Sequence, residues 1–186
     1  NCERFVFFSR AALELARRFP FELDVIHVND WQTGLVPVYL SEFYRSHFSL
    51  SSTGTLCTIH NMAFQGKFWH WDMLLTGLDW RLYNWRQLEF YGHLNLLKAG
   101  IVFSDLVNTV SRRYAQEIQT PEFGCGLEGV LQARRNDLHG IINGIDYSIW
   151  NPEVDTAVAS NYNEDTFVHG KPKCKAALQA DQRLPV

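Results

Sequence analysis

Asp30, His60, Asn61 and Asn143 each stand at the end of a short apolar run: Asp24-Val-Ile-His-Val-Asn-Asp30, Leu56-Cys-Thr-Ile-His-Asn61 and Leu138-His-Gly-Ile-Ile-Asn143. A carboxylate, an imidazole and two amides supply acceptors and donors, a set suited to gripping a polar ligand. The runs are rich in β-branched residues and bounded by helical patterns, so each reads as a buried parallel strand. Ligands of open parallel sheets sit beyond the carboxyl ends of the strands, which places these four residues along one rim.

The elements that must hold that rim follow in alternation. A helix is expected over residues 3–18, where Phe5, Phe8, Ala12, Leu15 and Phe19 recur at helical spacing until Pro20. Then come a strand at 25–28, a helix at 33–45, a Ser-rich link, a strand at 56–59, a long aromatic segment at 64–85 and a helix from Leu88 to Lys98 stopped by Gly100. A strand at 106–110, a helix at 112–119 capped by Ser111, a helix at 127–135 and a strand at 140–142 complete the series. This order implies an α/β fold, a doubly wound parallel sheet. The pattern changes near Asn143 to Pro152, giving an expected division into residues 1–144 and a connector with a short helix at 145–186. Both ends fall at helical stretches, and the chain reads as a piece of a longer protein.

Composition narrows the function classes. With 186 residues, 46% hydrophobic, 20% charged and a formal net charge of -3, the chain is an ordinary globular sequence. Its 17 basic residues form no stripe, which argues against nucleic acid, and no apolar run is long enough to span a bilayer. Four cysteines far apart, Cys2, Cys57, Cys125 and Cys174, show neither disulfide spacing nor a metal-ligand pattern. Reduced thiols in a cytoplasmic protein without metal or cofactor are the expectation.

Two further features have modest weight. Gly124-Cys-Gly126-Leu-Glu-Gly129 matches a dinucleotide fingerprint, but a Pro-containing loop precedes it where a strand is required, so the glycines are expected to make a turn into the next helix. His27 lies inside its strand and is expected to be a satisfied core residue. The aromatic crowd between Phe64 and Tyr91 serves packing first and offers a carbohydrate-stacking surface second.

Longer strings carry a resemblance. His27-Val-Asn-Asp-Trp-Gln-Thr-Gly-Leu-Val-Pro-Val-Tyr-Leu40, Thr58-Ile-His-Asn-Met-Ala-Phe-Gln-Gly66, Leu96-Leu-Lys-Ala-Gly-Ile101, Gly126-Leu-Glu-Gly-Val-Leu131 and Ile142-Asn-Gly-Ile-Asp-Tyr147 resemble bacterial glycogen synthase, the ADP-glucose-using branch of the glycogen and starch synthases. The resemblance implies the Rossmann-like N-terminal half of a two-domain GT-B glycosyltransferase, incomplete here, which moves glucose from ADP-glucose to the non-reducing end of an α-1,4-glucan with retention. It implies that His60 contacts the transferred glucose, that Asp30 stands at the acceptor side as the other catalytic residue, and that Asn143, Asn61, Gln65 and Gly66 bind substrate. The partners implied are ADP-glucose and an α-glucan acceptor; neither metal nor cofactor is implied, because Arg and Lys outside this chain meet the diphosphate. A UDP-glucose enzyme of the sucrose-synthase kind, or a glucan-binding fragment without catalysis, are the alternatives.

Overall fold

The computed structural model describes residues 1–185; Val186, the last residue of the expected second segment, lies outside them. Contacts divide the chain into one unit of Asn1–Ile142 and another from Asn143 onward.

The first unit opens with α1 (Cys2–Ala16), whose buried face presents Val6 and Leu13. The strand β1 (Val25–Asn29) leads through a 3-10 turn (Trp31–Thr33) into α2 (Leu35–Tyr39), which runs on as a π-helical turn (Leu40–Tyr44). Pro37 is tolerated because it lies in the first turn of α2, where no carbonyl awaits its missing N–H. The strand β2 (Gly54–Ile59) follows, then β3 (Lys67–Trp69), α3 (Met73–Thr76), β4 (Glu89–Phe90), β5 (His93–Asn95) and α4 (Leu96–Phe103). The unit closes with β6 (Leu106–Thr109), α5 (Arg112–Glu117), α6 (Glu128–Ala133) and β7 (Leu138–Gly140), the last of these beginning two residues before the strand expected at 140–142, because it is Leu138 to Gly140 that find partners on β6. Ser111 caps α5 as expected, its hydroxyl accepting from the Tyr114 N–H.

The expected parallel sheet is present, in the order β1-β2-β6-β7, all strands parallel. Repeated right-handed crossovers in one direction put every connecting helix on the same face. Accordingly Val28, Cys57 and Val107 are buried, while Val25 and Leu106, on the opposite face, are 57% and 45% exposed. Winding on both faces is therefore not completed within this unit. His27 is hydrogen-bonded as expected, with Nε2 2.6 Å from Thr58 Oγ1, which in turn bonds Asn108 Oδ1, but it is not a core residue: strand alternation puts it on the open face, where it is exposed.

The expected helix from Leu88 to Lys98 is a correction. Residues 89–95 form a β-hairpin that pairs with β3 in a small antiparallel sheet. Tyr91 and Gly92 both have positive φ, 48° and 79°, the requirement of a two-residue hairpin turn. The helix begins only after Asn95, whose side chain accepts from the Lys98 N–H. Gly100 does not stop α4 but sits within it, because a Cβ there would lie 3.2 Å from both Cys57 Sγ and Gly34 Cα. Lys98 is buried beneath the hairpin and donates to the Trp85 and Glu89 carbonyls; burial lowers its pKa from the ordinary lysine value.

Hydrophobic residues form two clusters on the helical face. One joins α1, α2, β1 and the start of α4 through Leu13, Val28, Leu35 and Tyr39; the other joins Ile59, Leu97, Val107, Ile118 and Leu131. Trp31 packs against both. No helix of the described residues is long and apolar enough to cross a membrane.

The second unit is a connector rich in Asx turns, followed by α7 (Phe167–Asp181). This helix starts earlier than the sequence pattern suggests and carries Pro172 in its interior. Gly170 permits the close approach of Tyr162, whose Cβ would lie 2.5 Å from an added methyl.

Candidate active site at the sheet rim

β1 and β2 end side by side, and their ladder extends one residue further: the Asp30 N–H donates to the Thr58 carbonyl at 2.9 Å. Immediately beyond, the chain reverses into the 3-10 turn. Thr33 fixes that reversal, its hydroxyl accepting from the Asn29 N–H at 2.7 Å and donating to the Asn29 carbonyl at 2.8 Å. The reversal forces Asp30 to φ 55°, ψ -167°, a conformation that non-glycine residues seldom adopt. Its outcome is that the Asp30 carboxylate swings toward the end of β2.

There it meets His60 twice. Asp30 Oδ1 accepts from the His60 backbone N–H at 2.8 Å, and Oδ2 lies 2.8 Å from His60 Nδ1. The side chains are 26% and 48% exposed respectively, so the pair faces solvent at the rim while Ile59, one residue earlier, is fully buried.

The loop after His60 is built as a rigid edge. Asn61 Oδ1 accepts from the Ala63 N–H, forming an Asx turn, and the Met62 N–H donates to the Tyr114 hydroxyl. Gln65 is buried, with Nε2 donating to the Met62 and Cys125 carbonyls and Oε1 accepting from Asn95 Nδ2. Its amide is thus committed to tying three loops together rather than open to a ligand. Gly66 has φ 60°, and a Cβ there would lie 2.4 Å from the Trp31 indole. Trp31 is a site residue that sequence reasoning passed over. Standing beside Asp30, it supports the 61–66 loop from below and packs edge-on against Phe5 and at an angle to Phe68. The signal was available in the pairing of a bulky aromatic after Asp30 with a glycine in the facing loop.

The 124–126 segment is a turn, as the sequence suggests, with Cys125 at φ 52° and Gly126 at φ 87° before α6. Asn143 is exposed and is the first residue of the second unit, three residues after β7 ends at Gly140. In that unit Asp146 accepts from the Ser148 hydroxyl and N–H, which hold its carboxyl below the usual range. No cluster of His, Cys, Asp and Glu suited to a metal ion occurs among the described residues.

A parallel sheet with an acid and imidazole pair on its rim does not by itself name a family; similarity to known proteins does. The family model for the starch synthase catalytic domain matches residues 1–133. The chain belongs to the starch synthase family. Glycogen synthase of Fervidobacterium nodosum is 48% identical over 183 residues, covering 98% of this chain and 38% of its own length. Glycogen synthase of Thermotoga maritima is 47% identical over 184 residues, covering 99% and 38%. Among solved structures, the catalytic domain of starch synthase IV from Arabidopsis thaliana, bound to ADP and acarbose, superposes with a TM-score of 0.74. That structure is 35% identical and is matched over 95% of this chain and 36% of its own. This starch synthase family chain therefore spans well under half the length of the relatives it matches.

Proposed function

We propose that the complete protein transfers glucose from ADP-glucose to the non-reducing end of an α-1,4-glucan, with retention of configuration, in the cytoplasm. The observation that carries this reading is the Asp30 and His60 pair, set on the rim of a parallel sheet in a chain whose relatives are glycogen synthases. His60 hydrogen-bonds the transferred glucose, and Asn61 and Asn143 supply amides to its hydroxyls. Asp30 stands next to the acceptor. Gln65 and Gly66 hold the loop that carries these contacts. Rigid donors and acceptors around a sugar lower the barrier by removing its freedom to misalign. Charge developing on the leaving diphosphate is met by cations from outside this chain. A relative bound to ADP and acarbose supports the pairing of an adenine nucleotide with a glucan-like ligand.

The test is transfer by the complete enzyme from radiolabelled ADP-glucose to a maltooligosaccharide. The expected product is one glucose longer and is trimmed by an enzyme specific for α-1,4 links. Transfer from UDP-glucose alone would move the protein to another donor class, and glucan binding without transfer from either donor would remove the catalytic reading. In the same enzyme His60→Ala deletes a hydrogen bond at the reacting sugar, worth about 1.5–3 kcal/mol or roughly ten- to hundredfold in turnover. ADP affinity, measured by calorimetry, should stay within about threefold.

A further inference from the structure

The geometry points to Asp30 as a positioning residue that fixes the tautomer of His60: the ring proton is held on Nδ1, and Nε2 is turned outward as a hydrogen-bond acceptor. This deepens the proposed function and rests on it only for the identity of the ligand.

An ionised carboxylate offers acceptors and no donors. Both atoms that it meets must then bring hydrogens, and the backbone N–H of His60 does so at Oδ1. At Oδ2, 2.8 Å from Nδ1, the only hydrogen available is one on the ring. A neutral His60 therefore has its proton at Nδ1, and Nε2 carries a lone pair. The two contacts also fix the ring in space, because one carboxylate plane grips the backbone and the side chain of the same residue. Asp30 in turn has little freedom, since its own N–H is held by the Thr58 carbonyl and its φ of 55° is set by the turn that Thr33 closes. Other neighbours are poorly placed to set the tautomer: Asn61 spends its side-chain oxygen on the Ala63 N–H and Gln65 has its amide committed elsewhere.

The consequence for chemistry is directional. An outward lone pair on Nε2 accepts a hydrogen bond from a ligand hydroxyl; it does not donate to a phosphate or carbonyl oxygen. That selects a ligand group with a hydrogen to donate at this point of the rim, which a sugar hydroxyl supplies.

The decisive variant is Asp30→Asn, which is nearly isosteric and tolerates positive φ. Its amide oxygen can still accept from the His60 N–H, but the amide NH2 then faces Nδ1, which must give up its proton to accept. The ring is expected to switch to the Nε2–H form. Histidine ring nitrogens of the complete enzyme are labelled with 15N, and His60 is assigned by the pair of signals lost in His60→Gln. At pH 8 the wild type should show a protonated Nδ1 and an unprotonated Nε2, and Asp30→Asn should show the reverse, with an unchanged near-UV circular dichroism spectrum. Turnover of Asp30→Asn should fall at least tenfold, with the KM for ADP-glucose within about threefold. A wild-type ring protonated at Nε2, or the same tautomer in both proteins, overturns the proposal. The nitrogen spectra need no substrate, so a wild-type enzyme that fails to transfer glucose would sink the proposed function while leaving the tautomer result to be judged on its own.

Discussion

Asp30 occupies a backbone conformation that only glycine visits without strain, and an aspartate held there costs about 1–3 kcal/mol. Its hydrogen bonds to His60 lie at a partly exposed site where water can replace them. Asp30→Gly should therefore keep the thermal midpoint or raise it, while the ring of His60 loses its anchor and turnover falls. A midpoint lowered by more than about 5 °C would show that the side chain serves stability and not the site. Cys57 makes a second residue-scale prediction. Burial, reinforced by the negative charge of Asp30, pushes its thiol from an ordinary 9.0 up to about 12. The folded state then keeps a proton that the unfolded chain releases, so this contribution is intact below pH 9.0 and is lost as the pH climbs toward about 12. Each pH unit in that window costs about 1.4 kcal/mol for one such proton. Urea unfolding of the wild type should weaken steeply above pH 9, and Cys57→Ala should remove one proton's worth of slope. The slope due to Cys2, raised by burial to about 11, should remain.

Packing of α2 against α4 depends on two glycines. At Gly34 an added Cβ would lie 1.9 Å from the Leu96 carbonyl oxygen, a backbone atom at the cap of α4 that cannot move without shifting the hairpin before it. Gly34→Ala should cost about 3 kcal/mol or more, beyond the usual range for overpacking, read as a lower urea midpoint with unchanged slope. A loss under 1 kcal/mol would mean that the helices slide apart freely. The same pair explains what could and could not be read from sequence. Strands announced themselves by continuous β-branched runs, and Ser111 by its position before a helix; both are local signals. Gly100 looked like a helix stop because glycine after an apolar periodic stretch usually is one, whereas its reason is a tertiary contact with Gly34 and Cys57 that no local pattern encodes. Leu88 to Asn95 looked helical by apolar spacing, yet Tyr91-Gly92 was a turn signal with tyrosine in an unusual left-handed place. That His60 and Asp30 share one rim was legible because both end apolar runs that read as parallel strands. Their direct bond was not, since it depends on a φ that only the Thr33 turn imposes. Gln65 was named for its motif, and its buried network with Asn95 and Cys125 joins segments far apart in sequence.

At the scale of the molecule, the sheet of the first unit carries its helices on one face, and the other face leaves Val25 and Leu106 exposed. That face is mixed, with His27, Thr58 and Asn108 hydrogen-bonded in a row beside the exposed Val25 and Leu106, and β1 and β7 are the edge strands of the sheet. The chain covers 38% of the relatives it matches, so the complete protein has the material to cover that face. Single-cysteine reporters separate covered from bare. In a background of Cys125→Ser and Cys174→Ser, which removes the more accessible native thiols, Val25→Cys and Leu106→Cys are introduced one at a time. Buried Cys2 and Cys57 stay slow and provide the internal baseline. In the 186-residue chain alone both reporters should react with a maleimide at rates near that of an unfolded peptide. In the complete protein they should slow by at least a hundredfold, because reaction then requires the covering elements to open. The isolated chain should also scatter light at micromolar concentration, and Leu106→Lys should reduce that scattering by placing a charge on the open face at the start of β6. Equal maleimide rates in the two proteins would show that the face is open to solvent throughout, and its apolar residues would then need a partner other than the rest of the same polypeptide.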